Sequence, residues 1–167
     1  MKIKLIILMS AAFIPFLTGC ASHPTALASV GPDPHGPGPG PVANGHLEVF
    51  TATQKSPRVD NDETRRFDLH TGYEIYDASG KSIKYVANHT SNLDEWPDKV
   101  ALASGAYQIV AESTWCGLVA LPVVIQNGKT TTVHLDDNWF PSSKIAPQEL
   151  VFLPNGETVG WSKLLDE

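Results

Sequence analysis

From His46 to the carboxy terminus, apolar and polar positions alternate in short runs separated by turn-forming residues. Successive side chains of a strand point to opposite faces, so alternation at a period of two marks a half-buried strand. The first run, Leu47 to Ala52, is rich in β-branched and aromatic side chains. Tyr73 to Asp77 and Ser82 to Val86 flank the turn sequence Ala78-Ser79-Gly80-Lys81 and predict a hairpin. Lys99 to Leu102 leads through a turn at Ser104-Gly105 into Tyr107 to Glu112, which alternates cleanly. Leu118 to Ile125 is apolar throughout, which predicts a strand buried on both faces or following a bulge. Pro122 within it points to an edge or a kink, because proline cannot donate to a ladder. Asn127-Gly128 suits the positive φ of a tight turn before Thr130 to Leu135. Leu150 to Leu153 and Glu157 to Trp161 form a terminal hairpin about Pro154-Asn155-Gly156. The stretches 55–66 and 88–97 are polar and read as surface loops. No window sustains a helical period. The pattern predicts an all-β domain over residues 45–167, a single β-sandwich of about seven to nine mostly antiparallel strands.

The amino-terminal pattern is different. Lys2 and Lys4 precede an apolar run from Leu5 to Leu17, and Thr18-Gly19-Cys20 follows. A basic start, a short apolar centre and small residues at the end form a secretory signal, here residues 1–19. The run is shorter than the ~20 residues that span a bilayer, and Pro15 interrupts it. Leu17-Thr18-Gly19-Cys20 resembles the lipobox of bacterial lipoproteins. The resemblance implies cleavage before Cys20, a diacylglycerol on its thiol and an acyl chain such as palmitate on the new amino terminus. Membrane lipid is then the first partner. The same resemblance implies the outer membrane, facing either the periplasm or the exterior, because Ala21-Ser22 replaces the Asp that marks inner-membrane retention. The competing reading is an ordinary signal peptide with a chance cysteine.

Residues 20–44 read as the lipidated cysteine and a disordered tether. Proline and glycine dominate from Gly31 to Pro41. Such a chain buries too little apolar surface to offset ordering, and proline extends it by up to ~3.1 Å per residue. The tether therefore predicts a domain held several tens of Å from the bilayer (roughly 24 residues at that rise). His23 and His35 in a mobile tether are poor metal ligands.

Composition narrows the partners. Removal of Lys2 and Lys4 leaves ten basic against eighteen acidic residues, a net charge of −8. An acidic domain repels phosphate backbones, which argues against nucleic acid. Only Cys20 and Cys116 are present, so a disulfide scaffold is excluded if Cys20 carries lipid.

Tyr73 to Leu135 resembles the carboxypeptidase-regulatory-like, transthyretin-like family of β-sandwiches. The resemblance is carried by Tyr76-Asp77-Ala78-Ser79-Gly80-Lys81, by Val100-Ala101-Leu102 with Gly105-Ala106-Tyr107, and by Pro122-Val123-Val124-Ile125 with Gly128-Lys129-Thr130-Thr131. It implies architecture and no shared catalytic residues.

The chemistry-bearing residues suggest no catalytic site, metal site or cofactor. His70, His89 and His134 lack ligand spacing, and His134 alternates on a strand in a position open to solvent. His89 shares a loop with Asp94 and Glu95, which a cation would suit only weakly. Asp136-Asp137 precedes Asn138-Trp139 and reads first as a charged strand end, second as an acid–base or sugar-binding pair. Cys116 has no basic residue within ten positions, so it reads as a small buried residue rather than a nucleophile. Ser79-Gly80-Lys81 and Gly128-Lys129-Thr130 lack the frame of a phosphate loop. Trp96 and Trp139 stand in polar loops, where tryptophans either cap the core or bind a sugar or a protein. Three functions follow as expectations: a membrane-tethered, non-enzymatic binding or assembly module with an envelope partner; a carbohydrate- or peptidoglycan-binding module using Trp96 and Trp139; and a small hydrolase or metal-handling protein using Cys116 or the loop carboxylates.

Overall fold

The longest alternating runs become the longest strands. The computed structural model describes residues 24–36, 43–55, 67–91 and 93–163. Within it β9 (Gly105–Ser113) and β10 (Gly117–Ile125) pair antiparallel along their whole length. Val119, Leu121, Val123 and Ile125 of β10 are buried, whereas Ala120, Pro122 and Val124 on the other face are half-buried. The strand is therefore covered mainly on one face, and its register with β9 carries no bulge.

Pro122 does not mark an edge either, because β10 lies inside the large sheet. Its other side is covered by two short parallel strands, β1 (Thr25–Ala26) and β2 (Val30–Gly31). The Leu27 amide donates to the Ala120 carbonyl at 3.1 Å, so Ala120 directs its backbone polar groups to that side. Pro122, two residues on, faces the same way. Its missing N–H falls opposite the gap between β1 and β2.

Within the described part, residues 24–36, the two short strands correct the expectation of an unfolded tether, whose other residues 20–23 and 37–42 lie outside the described ones. Val30 is fully buried in the core, and β3 (Asn44–Phe50) begins before the predicted boundary. The signal lies in Ala26-Leu27-Ala28-Ser29-Val30, an apolar stretch ahead of the Pro/Gly run that can satisfy an open sheet edge. β2 also links β10 to the terminal hairpin, β12 (Leu150–Phe152) with β13 (Thr158–Ser162). The large sheet is completed by β6 (Tyr73–Asp77) and β7 (Ser82–Val86), in the order β12-β13-β2-β10-β9-β6-β7. The β6–β7 turn is set by Asp77, whose Oδ1 accepts from the Ser79 amide at 2.8 Å and the Lys81 amide at 3.1 Å.

The small sheet has the order β11 (Thr130–His134), β3, β8 (Lys99–Ala103), and β4 (Thr53–Lys55) pairs with β5 (Asp68–His70). Ser104 alone separates β8 from β9, so the predicted turn is a crossover from the small sheet to the large one. In all, thirteen strands form among the described residues, more than the seven to nine expected, because short pairings add to the main runs. Three pairings are parallel and seven antiparallel. One turn of 3-10 helix, Pro147–Glu149, is the helical element among the described residues, and no helix there is long and apolar enough to cross a membrane. Residues 1–19, Cys20 and most of the 55–66 loop lie outside the described residues.

Both sheets direct their inward faces into one core that includes Leu47, Val49, Ile75, Ile109, Leu121 and Val133. Burying each such side chain is worth about 1.5–3 kcal/mol. Tyr73 lies in this core with its hydroxyl unpartnered. An unsatisfied buried hydroxyl costs about 1–3 kcal/mol. Tyr73→Phe is therefore expected to raise stability by about 1 kcal/mol in urea unfolding. A loss of similar size would show that the hydroxyl has a partner.

Candidate functional site

A row of rings covers the outer face of the small sheet. Phe50 and His134 are register partners on β3 and β11 and point outward together. Their rings stack at 4.7 Å, and Trp139 stacks on the other face of His134 at 4.8 Å. The row continues through Trp161 at 5.9 Å to His35 at 5.4 Å, and at the other end His70 meets Phe50 edge-on at 5.5 Å. It crosses from the small sheet to Trp161 on β13. His134 is thus covered by rings, with a side chain only 17% exposed, instead of facing solvent.

Trp139 is consequently part of a wall. Trp96 is 73% exposed and stands beside a different groove. That groove, about 250 Å³, is lined by Trp96, Phe50 and His70 and by Asp68, Glu95, Asp136 and Asn138. Trp139 lines a neighbouring groove of about 260 Å³ with His134, Phe140 and the 155–158 turn. The two tryptophans do not share one cleft.

The loop that carries Trp96 is held at both ends. Asp94 accepts from the Thr90 hydroxyl at 2.5 Å and from the Trp96 amide at 3.2 Å. These bonds hold its carboxyl below the usual range, the Thr90 hydroxyl contributing most. The Asp94 oxygens are thereby spent on closing the loop, which argues against the cation reading of His89, Asp94 and Glu95. Beneath the loop, Asn88 is fully buried at φ 69°. Its amide donates to the carbonyls of Val49 at 2.9 Å and Thr71 at 3.2 Å and to the Thr51 hydroxyl at 3.1 Å. Its own oxygen accepts from the Asp98 amide at 3.1 Å. The polarity of 88–97 had pointed to solvent, so Asn88 went unrecognised as the residue that anchors the loop.

The groove is rich in acceptors. His70 Nδ1 lies 2.8 Å from the Thr51 carbonyl, which can only accept, so Nδ1 carries a proton. Nε2 of the neutral ring is then an acceptor. Asp136 is 95% buried at its side chain; Oδ2 accepts from Asn138 at 3.1 Å, but Oδ1 has no hydrogen-bond partner. His134 Nδ1 is 3.9 Å from Oδ1, too far for a bond. Burial pushes the Asp136 carboxyl up, while His134 and Asn138 pull it down and prevail. Asp68 is neutralised by Lys55 at 2.5 Å, and its amide donates to Glu95. Asp136 and Asp137 diverge: Asp137 turns away to accept from the Trp115 indole at 2.9 Å.

Cys116 is a free thiol, half-buried and packed against the core. No group of three or more His, Cys, Asp or Glu able to hold a metal occurs among the described residues. No family model, curated protein or solved structure matches the chain.

Proposed function

We propose that the chain is a non-enzymatic binding module held at the cell envelope by lipid on Cys20, with the groove beside Trp96 as its site and a glycan as its ligand. The observation that carries this reading is a largely exposed indole on a pinned loop beside a groove lined by polar side chains, Glu95 and Asn138 among them. A sugar ring offers a C–H face to an aromatic and hydroxyl donors to acceptors. Glu95 and Asn138, exposed along this groove, are suited to receive them. The volume lies below the ~300–1,000 Å³ of ordinary ligand pockets, which suits one ring and not an extended chain. Hydrolysis of a glycoside requires one carboxyl kept protonated. Asp136 is drawn the other way, which favours binding over catalysis at that carboxyl. The transthyretin-like resemblance is consistent with a passive scaffold, and Ala21-Ser22 after the cysteine favours the outer membrane, where peptidoglycan supplies sugars nearby.

Calorimetric titration of the full chain with soluble peptidoglycan fragments tests the proposal. Trp96→Ala is expected to weaken binding about ten-fold, ~1.4 kcal/mol, with urea stability unchanged. Equal affinity in the variant, or no glycan binding by the wild type, overturns it and leaves a protein ligand as the alternative.

A further inference from the structure

We infer that the tip of the β9–β10 hairpin, bearing Trp115 and Leu118, is a membrane-contact surface on the bilayer that holds the anchor; the inference rests on the reading of Cys20 as lipidated. The path of the chain into the fold carries it. Thr25 pairs with Val119 and Ala26 with Ala120, in parallel. β10 runs away from the hairpin tip, so β1 does too, and the residues before Thr25 arrive from the tip side. Four residues lie between Cys20 and Thr25, five Cα-to-Cα steps. An extended chain spans at most ~3.6 Å per residue, so the anchor lies within about 18 Å of Thr25. β10 begins at Gly117, two residues before Val119, so the strand ends about 7 Å beyond that pairing at ~3.3 Å per residue and the turn that carries Trp115 lies just past it. An anchor at Cys20 is therefore short enough to bring the tip to the bilayer. The domain rests on the bilayer by this end and is not held several tens of Å away.

The tip has the surface such a contact needs. Trp115 is 64% and Leu118 51% exposed. The indole N–H is already satisfied by Asp137, leaving the ring free to sit at the boundary of headgroups and acyl chains. Gly117, at φ 63°, supplies the positive φ at the end of the turn between the two residues. Glu112, opposite Leu118, and Asp137 are acidic, so the contact is apolar and gains nothing from anionic lipid.

The test uses the full lipidated chain, reconstituted into phosphatidylcholine vesicles with and without bromine on the acyl chains. Co-flotation with vesicles reads the anchor; bromine quenching of tryptophan emission reads the tip. The expected result is co-flotation with quenching confined to one of the four tryptophans. Trp115→Ala should float equally and lose the quenched component, and Leu118→Asp should reduce it. Co-flotation without quenching, or quenching that survives Trp115→Ala, overturns the inference while sparing the anchor. Shielding of Trp115 from aqueous acrylamide without bromine quenching would assign the tip to a protein contact and also overturns it. A chain that stays at the bottom of the gradient removes the anchor, and the inference falls with it.

Discussion

Asn88→Ala is expected to lower the unfolding free energy by about 3–5 kcal/mol, the largest effect of any single polar substitution considered. Alanine removes three donated bonds and one accepted bond from a fully buried position. The Thr71 carbonyl keeps the Thr51 hydroxyl at 2.7 Å, so its loss is partial. The Val49 carbonyl and the Asp98 amide lose their Asn88 partner, at about 1–3 kcal/mol for each group left unsatisfied. Asn88 also sits at φ 69°, where alanine adds about 1–2 kcal/mol of steric cost and asparagine is tolerated. Asn88→Gly removes the same bonds without that cost, so it should recover about 1 kcal/mol relative to alanine. Urea unfolding of both variants checks this, and a loss below 1 kcal/mol for Asn88→Ala would contradict it. Because Asn88 pins the loop that carries Trp96, the variant should also weaken ligand binding in proportion to loop disorder.

Cys20→Ala is expected to move the chain almost entirely from the membrane to the soluble fraction. Each buried methylene contributes roughly 0.8 kcal/mol, so a single acyl chain binds marginally and two or three bind almost permanently. In the proposed reading the thiol receives the diacylglycerol, so alanine removes the main anchor. Trp115 and Leu118 add an apolar contact too small to retain the chain alone, which is why Trp115→Ala should stay membrane-bound where Cys20→Ala does not. Fractionation after a carbonate wash reads the difference. An alanine variant that has lost residues 1–19 and still remains with the membrane would contradict the lipid reading.

Much of the fold was legible because its strands obey one rule. Tyr73 to Asp77 and Ser82 to Val86 alternate around a turn whose chemistry is local, and both appear with the predicted bounds. β10 was recognised as a strand but misjudged as doubly buried or bulged, because half-burial of Ala120, Pro122 and Val124 is decided by neighbouring elements. β1 and β2 were missed for a related reason: two-residue strands have no period, and their stability comes from the edge of β10. The site was legible only in its residue types. Trp96 and the Asp136-Asp137 pair drew attention as an exposed aromatic and adjacent carboxylates. Their division of labour depends on His134, Phe50 and Trp139 meeting across a register that no local sequence specifies. Asn88 was hidden because a buried asparagine and a loop asparagine look alike until the carbonyls it serves are brought to it.

The proposed lipid on Cys20 underlies both the proposed envelope location and the proposed resting position of the hairpin tip, and intact-mass spectrometry of the chain extracted from the envelope measures it directly. The account predicts a mature protein beginning at residue 20, heavier than its polypeptide by a diacylglycerol and an acyl chain. A bare cysteine at position 20, or a chain still carrying its first nineteen residues, would contradict it.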